Sequence, residues 1–187
     1  MQNNDPQYLL VQVAKILNTL HIPYLVSGGL AVLVWGRPRF TADIDIVVEL
    51  KQTDIPKLEQ ALNHLSPQGY IDRDMMNDAL KRQGEFNFID ITTGIKVDFW
   101  ILTDSLFDRT RLQRRQVKSI SGEEVYFTSP EDLILIKLKW YQDSDSQRQL
   151  EDIESIFKIT KKIDKQYLKT MAQKMGLSEV LEKVKIS

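Results

Sequence analysis

Two aspartates stand one residue apart in Thr41-Ala42-Asp43-Ile44-Asp45-Ile46-Val47-Val48, a run that otherwise reads as a buried strand. Side chains alternate along a strand, so Asp43 and Asp45 share one face while Ile44, Ile46 and Val48 share the other. Two carboxylates on one face repel each other, and so apolar a strand needs a compensating charge to carry them. A divalent cation supplies that charge. Upstream, Ser27-Gly28-Gly29 opens a short helix, and a glycine-lined helix start is suited to holding a nucleoside triphosphate. Downstream, Asp98 in Lys96-Val97-Asp98-Phe99-Trp100 is a third carboxylate between apolar neighbours that face the other side, and it too requires a partner. Asp90 is its rival, but it lies at a hairpin turn, where aspartate serves local hydrogen bonding.

The elements that must carry these residues follow from periodicity. Leu9, Leu10, Val13, Ile16, Leu17 and Leu20 predict a helix over 8–20, ended by Pro23, with a short strand at 24–26. A compact apolar helix over 28–35 closes at Gly36 and the Pro38 turn, and the strand with the paired aspartates follows at 43–50. Thr53 is the expected N-cap of a helix reaching Leu65, and a further helix covers 74–82. Thr92-Thr93-Gly94 joins strands at 86–91 and 95–102, and Ser121-Gly122 turns a second hairpin over 116–127. Ser129-Pro130-Glu131-Asp132 is a helix start with a capping serine and proline at the first position. Helices over 131–142, 146–160 and 164–185 follow, the last broken near Gly176. The expected class is α+β: a mixed β-sheet core over residues 1–128 flanked by helices, with a helical region over 129–187 packed on it to form a cleft.

Composition narrows the chemistry. The 187 residues carry 25 basic and 26 acidic side chains, a net charge of −1, so no global field directs the chain to nucleic acid or an acidic membrane. There is no cysteine, which excludes disulfides, thiolate catalysis and cysteine-ligated metal centres. His21 and His64 are the only histidines, and each sits at a helix end as a structural residue. Residues 1–6 are polar and lack the apolar run of a signal peptide. No stretch reaches the ~20 apolar residues that cross a bilayer. A cytoplasmic protein without membrane contact is expected.

Two groups of arginines leave alternatives open. Arg37 and Arg39 lie in the loop before the Asp43 strand, where a guanidinium pairs with phosphates or stands in a solvated turn. The run Arg109, Arg111, Arg114, Arg115 and Lys118 is the one strong basic cluster, suited to an RNA backbone or simply solvated. Trp35, Trp100 and Trp140 read as core residues, although Trp100 shares its strand face with Asp98.

A helix-opening Gly-Gly, an Asp-x-Asp strand and a later lone strand aspartate, in that order, resemble the nucleotidyltransferase superfamily of the polymerase-beta type over residues 24–102. The resemblance implies that Gly28 and Gly29 hold the triphosphate, with Ser27 and Arg37 beside them. It implies that Asp43 and Asp45 bind two Mg²⁺ or Mn²⁺ ions, and that Asp98 binds one of them and helps to activate the acceptor hydroxyl. Ser129-Pro130-Glu131-Asp132, Lys137, Arg148 and Asp152 are similar to the bacterial AbiEii-type branch, which includes toxin nucleotidyltransferases. That likeness implies that Lys137 reaches the triphosphate and that Asp152 orients it or completes the site. The implied partners are an NTP, an acceptor and a cognate antitoxin. The acceptor is a transfer-RNA 3′ end, a small molecule such as an aminoglycoside, or a protein. A non-catalytic nucleotide-binding or antitoxin-like module of the same fold is the rival.

Overall fold

Alternation places one set of side chains from the central strands on a common core face. The computed structural model describes residues 6–186, and the segment 1–5 read above for targeting features lies outside the described residues. The strands are β1 (Tyr24–Val26), β2 (Asp43–Val48), β3 (Glu85–Asp90), β4 (Ile95–Ile101), β5 (Gln116–Ile120) and β6 (Glu123–Phe127). They form one mixed sheet in the order β3-β4-β2-β1-β6-β5. Strand β2 runs antiparallel to β1 and parallel to β4, and β1 runs parallel to β6. Ile44, Ile46, Val97, Phe99, Val26 and Phe127 are buried on one sheet face, together with Leu10, Val13 and Leu17 of α1 (Pro6–Thr19). The α+β expectation is met.

The helices among the described residues continue as α2 (Gly28–Trp35), α3 (Ile55–Leu65), α4 (Arg73–Arg82) and α5 (Leu106–Arg114). They end with α6 (Pro130–Ser144), α7 (Gln147–Ile159), α8 (Lys165–Lys174) and α9 (Ser178–Ile186). None is long and apolar enough to cross a membrane. Helix α6 starts as expected, with the Ser129 hydroxyl accepting from the Asp132 N–H. Its Leu133, Ile134, Leu135 and Leu138 enter the same core as the strands. The break near Gly176 is present between α8 and α9, where Gly176 takes φ +72°.

Two local expectations are corrected. Asp54 rather than Thr53 precedes α3, and its carboxylate accepts from the Lys51 N–H in the preceding turn. Helix α5 was not expected, because its face is charged and only Leu112 among its apolar residues is buried. It forms because Ser105 caps the Asp108 N–H and because Leu112 packs on Leu25, Val47 and Leu102. This packing puts α5 on the sheet face that carries the acids.

Asp90 is a structural residue, as its turn position suggested. Its carboxylate accepts from the Ser66 hydroxyl at 2.7 Å, the Thr93 hydroxyl at 2.7 Å and the Thr92 N–H at 3.2 Å. Burial pushes its pKa up, but these donors outweigh burial and hold it below the usual carboxylate value. A depressed carboxyl stabilises the fold above the unfolded value of about 3.9 and loses that contribution as pH falls through the folded value. Acid titration of stability should therefore show wild type losing more than Asp90→Asn below about pH 4, with Asp90→Asn the less stable protein at pH 7. Parallel acid profiles for the two proteins would contradict this.

Candidate active site

Parallel pairing of β2 with β4 brings the acids together. The register sets Asp45 opposite Asp98, Asp43 opposite Lys96 and Val47 opposite Trp100. These six side chains alternate with the buried core residues and therefore occupy the other sheet face. Asp98 is mostly buried, while Asp43 and Asp45 are half-buried.

Each carboxylate has its own restraint. Asp43 accepts from the Thr41 hydroxyl at 2.9 Å. Asp98 pairs with the Lys96 ammonium at 2.7 Å, two residues before it on the same face. The Trp100 indole N–H lies beside Asp45 and tends to lower its pKa. Burial and the negative charges of Asp43 and Asp98 outweigh that influence, so the Asp45 carboxyl is raised above its usual value. Lys96 neutralises Asp98 on this face, whereas no ion pair among the described residues holds Asp43 or Asp45. Carboxylate oxygens are the donor type that Mg²⁺ and Mn²⁺ prefer, so the residues fit such ions chemically. In this arrangement the oxygens do not converge, and no group of three or more metal-binding side chains is closed among the described residues.

The glycine pair has a role that its sequence position did not reveal. Gly28 takes φ +57°, and a Cβ there would lie 1.8 Å from Asp45 Oδ2. A Cβ on Gly29 would lie 2.3 Å from Thr41 Oγ1, the group that holds Asp43. Both positions are therefore empty of side chain so that the paired aspartates can sit against the start of α2. The Ser27 N–H donates to the Asp45 carbonyl at 2.8 Å, fixing that approach. The Ser27 hydroxyl is buried without a partner.

A second cluster faces Asp45 from the C-terminal helices. The Lys137 ammonium is fully buried, 2.7 Å from Asp152 Oδ2 and 3.0 Å from Gln149 Oε1. Arg39 grips Asp152 with two parallel bonds of 2.8 and 3.0 Å. Burial draws Lys137 below the ordinary ammonium range, while Asp152 and the Asp45 charge act in the opposite direction. Burial raises Asp152, but Arg39 and Lys137 outweigh it and keep the carboxylate charged. Arg37 lies apart from this cluster: it is exposed, 3.4 Å from Glu151 on the outer surface of α7, and its N–H donates to the Ser155 hydroxyl. Arg148 reaches the Phe40 carbonyl at 3.4 Å. Thus the structure brings together Ser27, Gly28, Gly29, Asp43, Asp45 and Asp98, with Lys137 and Asp152 adjoining, and leaves Arg37 at the rim.

The sequence reading missed Thr41, Lys96 and Trp100 as partners of the acids. All three sit at even spacing from an aspartate, the signal that would have found them. It also left Arg39 undecided, because its partner Asp152 is far away in the chain.

The basic cluster is not an open phosphate track. Arg109 pairs with Glu49 and Asp104, and Arg111 with Asp108. Arg114 reaches Glu131 and stacks over the Tyr167 ring, Arg115 lies over Tyr126, and Lys118 lies over Trp35. Arg109, Arg111 and Arg114 thus have carboxylate partners, and Arg115 and Lys118 lie against aromatic rings.

What the sheet and its acidic face define is a nucleotidyltransferase. The chain belongs to the family described as nucleotidyltransferase of unknown function (DUF6036), whose model matches residues 9–187. Among solved structures it is similar to an antigenic nucleotidyltransferase-like protein from Paracoccidioides brasiliensis, with 22% identity over 94% of this chain and 91% of that one, at a TM-score of 0.55. It is similar to lincomycin-bound lincosamide antibiotic adenylyltransferase LnuA, with 16% identity over 84% of this chain and 100% of that one, at 0.58. It is also similar to ANT(2″)-Ia in complex with adenylyl-2″-tobramycin, with 12% identity over 96% of each chain, at 0.53. At such identities the likeness is one of fold. No curated protein matches the chain.

The contact between Gly28 and Asp45 makes a direct prediction. Gly28→Ala should destabilise the protein by more than the ~1 kcal/mol of an ordinary glycine substitution, because strain at positive φ adds to displacement of Asp45. Gly122→Ala, also at positive φ but with open space around it, should show the backbone strain alone. Equal losses in the two variants, measured by urea unfolding, would mean that the Asp45 contact carries no weight.

Proposed function

We propose that the protein transfers a nucleoside monophosphate from an NTP to a hydroxyl of a small-molecule acceptor and releases pyrophosphate. The observation that carries this reading is the register of Asp45 against Asp98 with Gly28 seated on Asp45. It sets a carboxylate cluster against a helix N-terminus, with a buried lysine facing the same acid. Asp43, Asp45 and Asp98 would hold two Mg²⁺ or Mn²⁺ ions. When bound, those ions neutralise the triphosphate and lower the pKa of the attacking hydroxyl.

The chain's own groups do the rest. The start of α2, with Ser27, Gly28 and Gly29, presents backbone N–H groups to the phosphates. Lys137 supplies a cation from the opposite wall, and Asp152 with Arg39 fixes where that cation stands. Asp98 takes the proton of the acceptor hydroxyl. The acceptor oxygen then forms a bond to the α-phosphorus as the bond from that phosphorus to the β-phosphate bridging oxygen breaks. The electron pair leaves on pyrophosphate. Lys96 competes for Asp98 in the resting protein, so an acceptor that draws Lys96 away frees the base.

A small molecule is favoured over transfer RNA because the arginines of the α5 region are engaged within the fold. LnuA and ANT(2″)-Ia, which share the fold, are named for antibiotic substrates, and this supports the same acceptor class. Incubation with α-labelled NTPs, Mg²⁺ and pooled aminoglycosides, lincosamides or cell metabolites should label a small-molecule fraction. Asp98→Asn should lower the rate by about 10²-fold or more, the scale of general-base catalysis. Label that appears in transfer RNA, with every small-molecule fraction blank, would refute the acceptor assignment.

A further inference from the structure

Two lysine–aspartate pairs stand at the site, and they differ in kind. Lys137 and Asp152 meet at 2.7 Å with both side chains buried, 1% and 4% exposed. Lys96 and Asp98 meet at the same 2.7 Å, but the Lys96 side chain is 46% exposed against 10% for Asp98. A buried ammonium cannot leave its carboxylate without stranding a charge. A half-exposed one on a flexible four-carbon stem can swing into water, where an ion pair contributes little. The first pair is therefore a fixture, and the second is exchangeable.

The place of Lys96 in the sheet gives that exchange a meaning. The register sets Lys96 directly across from Asp43, and Asp98 across from Asp45. Lys96 precedes Asp98 by two residues, so both project from one side of β4. One ammonium thus stands within the patch of three carboxylates and leans along the strand to Asp98 Oδ2. Hard divalent ions take oxygen ligands, and a carboxylate oxygen that already accepts from an ammonium is a poor one. The like charge beside it repels the ion as well. Of the three acids, Asp98 is closed to metal while Lys96 is in place, and Asp43 with Asp45 are open to it.

We propose that Lys96 withholds Asp98 from the divalent metal: an ion enters first at Asp43 and Asp45, and Asp98 joins only once Lys96 has swung away. The inference rests on the nucleotidyl-transfer reading above and adds an order of loading to it. Lys96 touches none of the reacting atoms and acts through Asp98, as a positioning residue.

Calorimetric titration of Mn²⁺ alone into wild type, Lys96→Met, Lys96→Arg and Lys96→Met/Asp98→Asn tests this. Lys96→Met keeps the bulk of the arm and removes its charge, so Mn²⁺ should bind about tenfold more tightly than to wild type. That is the scale of repulsion between a unit charge and a divalent ion about 5 Å apart at the dielectric of water. Lys96→Arg keeps the charge and should bind no more tightly than wild type. The double variant has the net charge of wild type and frees no ligand, so it should bind Mn²⁺ as wild type does. Mn²⁺ should also raise the melting temperature of Lys96→Met by more than it raises that of wild type. Should Lys96→Met not fold, Lys96→Thr, a better strand former, carries the same expectations. Equal Mn²⁺ affinity in wild type and the neutral variant overturns the proposal, as does a gain that persists without Asp98 or appears in Lys96→Arg. A lower metal-free melt with an unchanged metal shift makes Lys96 merely structural and overturns it too. Wild type whose melt is unmoved by Mg²⁺ with ATP refutes the nucleotidyl-transfer reading itself. A shift with Mg²⁺ and ATP alongside equal Mn²⁺ affinities refutes only the role of Lys96.

Discussion

Mutual repulsion among carboxylates that a strand register forces onto one sheet face is the constraint from which the rest of this site follows. Asp45 and Asp98 are direct partners across β2 and β4, and Asp43 is one alternation away. Unit charges about 4 Å apart at an effective dielectric near 20 interact by roughly 4 kcal/mol. Even a fraction of that opposes folding, and it adds to burial, the larger cause, in raising the pKa of Asp45. The neighbours of the acids serve to contain this repulsion. Thr41 donates to Asp43, the Trp100 indole lies beside Asp45, and Lys96 neutralises Asp98.

The same constraint explains the shape of the surroundings. Gly28 and Gly29 are needed because Asp45 and Thr41 occupy the volume their side chains would fill. Lys137 is held within influence of Asp45 by Asp152, and Asp152 is in turn clamped by Arg39 from the loop that also carries Thr41. Arg39 thus ties the loop that precedes β2 to α7 through two short bonds to Asp152. A buried lysine with one carboxylate shared between two cations is an arrangement that another anion can re-partition, and a triphosphate is such an anion.

Much of this was legible in the sequence, and the reason is locality. The Asp43–Asp45 spacing, the lone Asp98, the Ser129 cap and the break at Gly176 are set by residues within a few positions of each other. Alternation alone put the acids on a face opposite Ile44 and Ile46. What escaped notice depends on pairing across long separations. No local signal says that β2 lies parallel to β4, that Arg39 meets Asp152, or that Gly28 makes room for a carboxylate. Helix α5 was missed for a related reason: it is mostly charged, and its stability comes from Leu112 against a distant strand and from arginines turned to acids elsewhere in the fold. Reading Arg109 to Lys118 as a surface cluster assumed that charges face water, whereas Arg111 and Arg114 are drawn inward by Asp108 and Glu131.

The central claim is that Asp43, Asp45 and Asp98 form one site whose repulsion is relieved by metal and nucleotide. Thermal melts of wild type and Asp45→Asn, each with and without Mg²⁺ and an NTP, test it most directly. A carboxyl whose folded pKa is raised destabilises the fold once pH exceeds its unfolded value of about 3.9, so at pH 7 the metal-free amide variant should melt at or above wild type. It should also lose most of the upward shift that Mg²⁺ with NTP gives wild type, since that shift measures binding to the folded state. A variant that melts below wild type without metal, yet keeps the full ligand shift, would make Asp45 an ordinary structural aspartate and contradict the account.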